Sequence, residues 1–213
     1  MEDSILIDHF KLENPKIADL TSGKPTTWIR GRKLGEGSFG TVWLETHGLD
    51  GKKRAVKRTR RQIPASGRKF NQELLAMTRL SRPRYSDYFA AFLGWYEEDM
   101  SISLVMEYFE LGDLRKYLRP TVPLPEDECR DVIRQLLAGL DIMHDDSFAH
   151  RDLKPENIFV VRTAPQWRVK IGDLRISKRV WEDETLLQSR SGTAPYMAPK
   201  IFQWVEICSD DDY

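Results

Sequence analysis

His150-Arg151-Asp152-Leu153-Lys154-Pro155-Glu156-Asn157 decides how this chain is read. The run sets an imidazole, a carboxylate, an ammonium and a carboxamide within a single loop's length. Moving a phosphoryl group requires those types close together. A carboxylate orients the attacking hydroxyl and takes its proton, a cation neutralises the charge in flight, and a neutral oxygen helps hold magnesium. Asp152, Lys154 and Asn157 are the candidates for these roles, in that order.

On the C-terminal side of this run, residues 158–161 and 167–171 read as a short hairpin that leads to Asp173-Leu174-Arg175. On its N-terminal side, residues 126–144 read as a helix with Val132, Ile133, Leu136, Leu137, Leu140 and Met143 on one broad stripe. Pro125 precedes that helix, and Glu126, Asp127 and Glu128 suit the positive end of its dipole. The helix delivers the chain to His150.

The first half has another texture. Leu34 leads into Gly35-Glu36-Gly37-Ser38-Phe39-Gly40-Thr41-Val42. A glycine pattern of this spacing is shared with dinucleotide-binding folds, where the last glycine opens a helix. Here Thr41-Val42-Trp43-Leu44 follows, β-branched and aromatic, so strand, glycine turn, strand is expected. An ordinary glycine-rich hairpin remains the alternative for this motif alone. The glycines allow backbone N–H groups close to phosphate oxygens. In Lys53-Arg54-Ala55-Val56-Lys57-Arg58, two-residue alternation puts Ala55 and Lys57 on one face. Lys52, Lys53, Arg58, Arg60 and Arg61 around it read as a solvated strand edge rather than a nuclear-import or nucleic-acid patch. Gly67–Leu80 reads as a helix with Phe70, Leu74 and Met77 on one stripe and Glu73 on an adjoining face. Residues 89–96 and 102–108 read as two strands, and residues 113–118 as a short helix.

Composition bounds the rest. The 213 residues are 40% hydrophobic, with six Trp and nine Phe, which is enough for a core. Thirty-three basic residues balance 33 acidic ones, so no global field favours nucleic acid or a membrane surface. Cys129 and Cys208 lack metal-ligand spacing, which suits a reducing compartment. Charged residues interrupt the first twenty positions, no long apolar run occurs, and an intracellular, cytoplasmic or nuclear protein is expected. Residues 1–27 read as an extension with little structure of its own.

Taken in order, the glycine pattern, Ala55-Val56-Lys57, Glu73, His150–Asn157, Asp173-Leu174-Arg175 and Gly192-Thr193-Ala194-Pro195-Tyr196-Met197-Ala198-Pro199-Lys200 resemble the eukaryotic protein kinases of serine/threonine type. The resemblance covers residues 29–199. It implies an α+β fold of two lobes, residues 28–111 forming a β-rich lobe with one main helix and 112–213 a partial helical lobe. It also implies ATP and Mg²⁺. Leu34, Gly35, Gly37, Gly40, Val42, Ala55, Lys57, Met106, Glu107, Phe109 and Phe159 would surround the nucleotide, with Met106 behind the adenine and Phe159 beneath it. Glu73 would pair with Lys57, Asn157 and Asp173 would hold the metal, and Lys154 and Thr193 would work beside Asp152. The acceptor would be a serine or threonine hydroxyl of a protein.

Three departures leave a binding module without turnover as the alternative. Arg175 stands where the family has glycine, and Arg reaches positive φ less easily. Lys200 stands where the family has glutamate. The chain stops at Tyr213 where the family continues into further helices, so apolar faces of helix 126–144 are expected to meet water. Thr185, Ser189 and Ser191 of the intervening loop are candidate phosphorylation sites, where a phosphate would pair with Arg151; ordinary solvated hydroxyls are the alternative.

Overall fold

A computed structural model describes residues 28–37, 40–60, 67–98, 101–118, 123–174, 178–179 and 192–197, with the side chains of 67–73 and 178–179 outside the description. Arg175, Thr185, Ser189, Ser191, Lys200, Cys208 and the side chains of Phe70 and Glu73 therefore lie outside the described residues. The chain divides into two compact units after Glu110, with Asp87–Phe89 belonging to the second.

The first unit is built on an antiparallel sheet. Its strands are β1 (Trp28–Gly37), β2 (Gly40–His47), β3 (Lys53–Arg60), β4 (Phe92–Glu98) and β5 (Ser101–Glu107), in the order β1-β2-β3-β5-β4. One helix, α1 (Gly67–Leu80), joins β3 to β4, and its Leu74 and Met77 are buried as the helical stripe requires. The glycine segment does run from strand to strand. Gly37 pairs with Gly40, and Gly40 adopts φ 122° with the Arg58 carbonyl where a Cβ would stand. Any side chain there would collide with backbone as well as adopt a strained φ, so glycine is required.

Two expectations need correction. β3 is no edge strand, since it lies between β2 and β5, although Lys52, Lys53, Arg58 and Arg60 are exposed as expected; Arg54 between them is buried at 6% exposure. Arg54 donates from Nε and Nη2 to Glu45 Oε2 at 3.0 and 2.8 Å, and its guanidinium lies 3.8 Å from the Trp28 ring centroid. An arginine in that position tolerates burial because both the fork and the flat face of its guanidinium are engaged. β4 begins at Phe92, three residues later than the apolar run suggests, because Phe89 instead bridges Ile171 in the second unit.

The second unit centres on α2 (Glu126–Asp145). Two small ladders accompany it: β6 (Phe148–Ala149) with β9 (Lys178–Arg179), and β7 (Ile158–Arg162) with β8 (Arg168–Ile171). The short helix expected within residues 113–118 is a 3₁₀ turn at Leu114–Lys116. The core joins Leu114, Val132, Ile158, Val160, Trp167 and Val169. Gln135 of α2 clamps the hairpin, donating to the Trp167 carbonyl at 2.8 Å and accepting from the Val169 N–H at 3.2 Å. Only part of the α2 stripe is covered. Val132 and Met143 are buried, whereas Ile133 and Leu137 are 53% and 61% exposed. An open hollow of about 490 Å³ lies along Leu137, Ala138, Leu140, Asp141 and His144. The expected contact of this helix with water is what the structure shows. The fold class is α+β, also as expected.

Candidate active site

The catalytic-loop candidates all lie in the second unit. β6 ends at Ala149 and β7 begins at Ile158, so the loop between them is anchored at both ends by a ladder. Its backbone is shaped by Arg151 at φ 69° and by a 3₁₀ turn over Pro155–Asn157. Pro155 opens that turn where its missing N–H has no consequence.

Asp152 is the hub. Lys154 Nζ lies 2.8 Å from Asp152 Oδ2, and the Thr193 hydroxyl donates to Oδ1 at 2.7 Å. Lys154 also donates to Thr193 Oγ1 at 2.6 Å, closing a three-membered network. Asn157 Nδ2 donates to the Asp152 carbonyl at 2.8 Å and to Oδ2 at 3.2 Å. Burial works against the charged carboxylate, but hydrogen bonds from Lys154 and Thr193, then the Lys154 charge, outweigh it and hold Asp152 below the usual carboxylate range. At neutral pH it is an anion ringed by donors, fit to accept a hydrogen bond from an incoming hydroxyl. Thr193 stands where the sequence placed it, beside Asp152 and Lys154. It is held there by Gly192, whose φ of 136° and proximity to the Arg151 carbonyl leave no room for a Cβ.

His150 is a support rather than a reactant. It is 3% exposed, its Nε2 lies 2.9 Å from the Gly172 carbonyl, and its Nδ1 accepts the Asp152 N–H at 3.3 Å. Both contacts are satisfied by the neutral ring with its proton on Nε2. Burial is the largest influence and pushes the imidazole below its ordinary value, against the Gly172 hydrogen bond and the charges of Asp173 and Asp152. Gly172 also donates its N–H to the Asn157 carbonyl at 2.8 Å. It ties the loop to the segment carrying Asp173, and neither its role nor that of Gln135 was visible in the sequence.

The neutral state of His150 has a measurable consequence. An unfolded histidine takes its proton near pH 6.5, while the folded ring resists it to lower pH. Between those values the unfolded chain binds more protons, so stability is present above about pH 6.5 and is lost as pH falls through the folded value. The thermal midpoint, followed by near-UV circular dichroism, is expected to fall between pH 7 and 5.5. The same scan on His150→Gln should be flatter; an equal slope would remove His150 as the cause. Asp152 belongs to a separate window, since its lowered value costs stability only below the ordinary aspartate pKa near 3.8.

Asn157 and Asp173 fit a hard divalent cation. Asn157 is 6% exposed and its amide nitrogen is committed to Asp152, so the amide oxygen is the atom left to act as ligand. Asp173 supplies a carboxylate, and its φ of 54° sets it on a turn beside Gly172. Two oxygen ligands from protein, with the remainder from phosphate and water, is how magnesium is commonly bound. No cluster of three or more His, Cys, Asp or Glu exists among the described residues.

In the first unit, the sheet register gathers the nucleotide candidates onto one face. Val42 is opposite Lys57, Leu44 is opposite Ala55, and Ala55 is opposite Met106. Gly35 pairs with Val42, next to Leu34 across an irregular step in β1. Lys57 is 7% exposed, a lysine set into the sheet rather than reaching into water. The Glu107 N–H is given to the Ala91 carbonyl at 2.9 Å, and buried Phe109 follows at the end of β5. Phe159 belongs to the second unit, where it pairs with Lys170 and bridges Asp113. Of Glu73 only the place on α1 is described, so the Lys57–Glu73 pair lies outside the described residues.

Residues 28–212 match the model of the protein kinase domain. The chain is similar to the mitogen-activated protein kinase kinase kinase ANP1 of Arabidopsis thaliana, 30% identical over 187 residues that cover 83% of this chain and 27% of that protein. It is similar to the serine/threonine-protein kinase ATG1c of the same plant, 28% identical over 192 residues, 88% of this chain and 25% of the other. It is also similar to the serine/threonine-protein kinase cds1 of Schizosaccharomyces pombe, 31% identical over 189 residues, with 85% and 40% covered. The chain thus spans about a quarter of the length of the two plant proteins.

Proposed function

Because this chain belongs to the protein kinase family, we propose that it transfers the γ-phosphoryl group of ATP to a serine or threonine hydroxyl of a protein substrate. The observation that carries the reading is the network of Asp152, Lys154 and Thr193, with contacts of 2.6 to 2.8 Å. Asp152 orients the acceptor hydroxyl and receives its proton as the bond to phosphorus forms. Lys154 sits beside it as the cation that offsets charge on the transferred group. Asn157 and Asp173 would hold magnesium, whose charge would offset that of the phosphate groups when bound. In the first unit, Lys57 meets the α- and β-phosphates and the small Ala55 leaves room for a purine. With its N–H committed to Ala91, Glu107 offers its carbonyl to the adenine edge, and Phe109 offers its N–H. The 28–213 stretch is read as one kinase domain, with residues 28–111 and 112–213 as its two lobes.

The serine or threonine acceptor and an intracellular, cytoplasmic or nuclear setting belong to this proposal. No helix among the described residues is long and apolar enough to cross a membrane.

Incubation with γ-labelled ATP, Mg²⁺ and a generic basic protein tests the reading, with label incorporated above an enzyme-free blank as the expected result. Arg175 and Lys200 favour a second reading, a module that binds nucleotide without turnover. Stabilisation of the chain by Mg·ATP in a thermal-shift assay, with label at the blank level, would decide for that second reading.

A further inference from the structure

The two candidate metal ligands hang from opposite strands at one end of a short ladder. Asn157 immediately precedes β7, and one residue, Gly172, separates β8 from Asp173. Ile158 pairs with Ile171 at that end, and the Gly172 N–H closes it on the Asn157 carbonyl at 2.8 Å. The register of β7 against β8 therefore sets how far apart the two ligands stand. A slip of one residue would displace Asp173 along the ladder by about 3.4 Å. It would also turn Val169 and Ile171, 2% and 1% exposed, away from the core.

β8 has only four residues, so groups outside the ladder carry much of its register. Val169 and Ile171 both give their N–H groups to such partners, Gln135 Oε1 at 3.2 Å and the Tyr88 carbonyl at 2.7 Å. Gln135 does more than accept one bond. Its Nε2 donates to the Trp167 carbonyl at 2.8 Å and to the Asp131 carbonyl, on its own helix, at 3.1 Å. A carbonyl only accepts and an N–H only donates, so the three contacts allow one orientation of the amide. By this side chain α2 grips the hairpin at two backbone positions two residues apart. Backbone groups point to alternate sides along a strand, so a one-residue slip would withdraw both from Gln135. The buried Val169 N–H would then lack a partner, which disfavours the slipped pairing.

We propose that Gln135 is a positioning residue for metal binding: from α2 it fixes the β7–β8 register, and through that register the spacing of Asn157 and Asp173. Its hydrogen bonds all go to backbone, so its influence on the cation is exerted through β8. The inference rests on the reading of Asn157 and Asp173 as magnesium ligands.

Titration of the full chain with Mn²⁺ in the presence of ADP, followed by water-proton relaxation, measures the cation's affinity without turnover. Gln135→Leu keeps the bulk of the side chain and removes all three hydrogen bonds. It should weaken Mn²⁺ binding by about 10- to 100-fold, the range for loss of a group that orients a metal ligand. Gln135→Glu keeps the acceptor for Val169 and loses the donor to Trp167, and it serves where the leucine variant does not fold. It is expected to weaken binding in the same direction and by less. Val132→Ala, one turn back on α2 and in the core against Val160 and Val169, removes packing but no hydrogen bond to β8. Its thermal midpoint should fall while its Mn²⁺ affinity stays close to that of the parent. Parent-like affinity in the folded Gln135 variants, or a loss in Val132→Ala as large as in Gln135→Leu, would overturn the positioning role alone. No Mn²⁺ binding by the parent chain would sink the magnesium reading of Asn157 and Asp173, and this inference with it.

Discussion

Replacing Asp152 with asparagine is expected to lower the rate constant for phosphoryl transfer by about 10²- to 10⁴-fold, the span that a positioned proton acceptor contributes. The exchange preserves shape. Asparagine keeps a carbonyl oxygen for the Thr193 hydroxyl, now 2.7 Å from Oδ1, and removes the charge that faces Lys154 at 2.8 Å. What disappears is the ability to take the acceptor's proton. The loss should therefore fall on kcat, with stabilisation by Mg·ATP close to that of the parent chain, because Lys57 and Ala55 lie on a different unit. Single-turnover kinetics with saturating ATP measure the effect. A rate equal to that of the unmodified chain would sink the role given to Asp152.

The largest expected effect on stability lies at Glu45. Glu45→Ala would leave the Arg54 guanidinium buried at 6% exposure without its carboxylate. Breaking a buried pair by removing one partner costs about 3–5 kcal/mol, because the remaining charge is neither hydrated nor paired. Stacking of Arg54 on Trp28 softens the loss without replacing the carboxylate. The double variant Glu45→Leu/Arg54→Met removes both charges at similar volume and is expected to lie near the parent. By contrast, separating the exposed Lys52–Asp50 pair should change stability little, because water and salt screen it. Urea denaturation of the three variants ranks them, and a Glu45→Ala loss below the Lys52→Ala loss would refute the assignment of the buried pair.

Local order was legible wherever one segment's own pattern carried the information. The Phe70, Leu74, Met77 spacing located α1 at Gly67–Leu80, and the apolar runs at 158–161 and 167–171 located the β7–β8 ladder. Thr193 could be assigned to Asp152 and Lys154 from the resemblance, and the contacts are present. The misread parts depend on partners distant in sequence. Arg54 carried no local sign of burial among the exposed cations around it. Its burial follows from β5 closing the far side of β3 and from Glu45, nine residues back, arriving across a strand pair. Phe89 looked like the start of β4, and a bridge to Ile171 takes it away. Gln135 and Gly172 carry no local signal because their hydrogen bonds join segments more than ten residues apart.

By itself, the order of residues determined which chemistry is available: His150 to Asn157 brings a carboxylate, a cation and a carboxamide within reach of one reacting group because they share one loop. It determined as well that Ala55 and Lys57 share a face, since strand alternation is local. Only the tertiary structure decided that Asp152 is an anion ringed by donors, that His150 is neutral, and that Arg54 is dry. Charge state and burial depend on which distant groups arrive around an atom, and strand order and chain crossing set those arrivals.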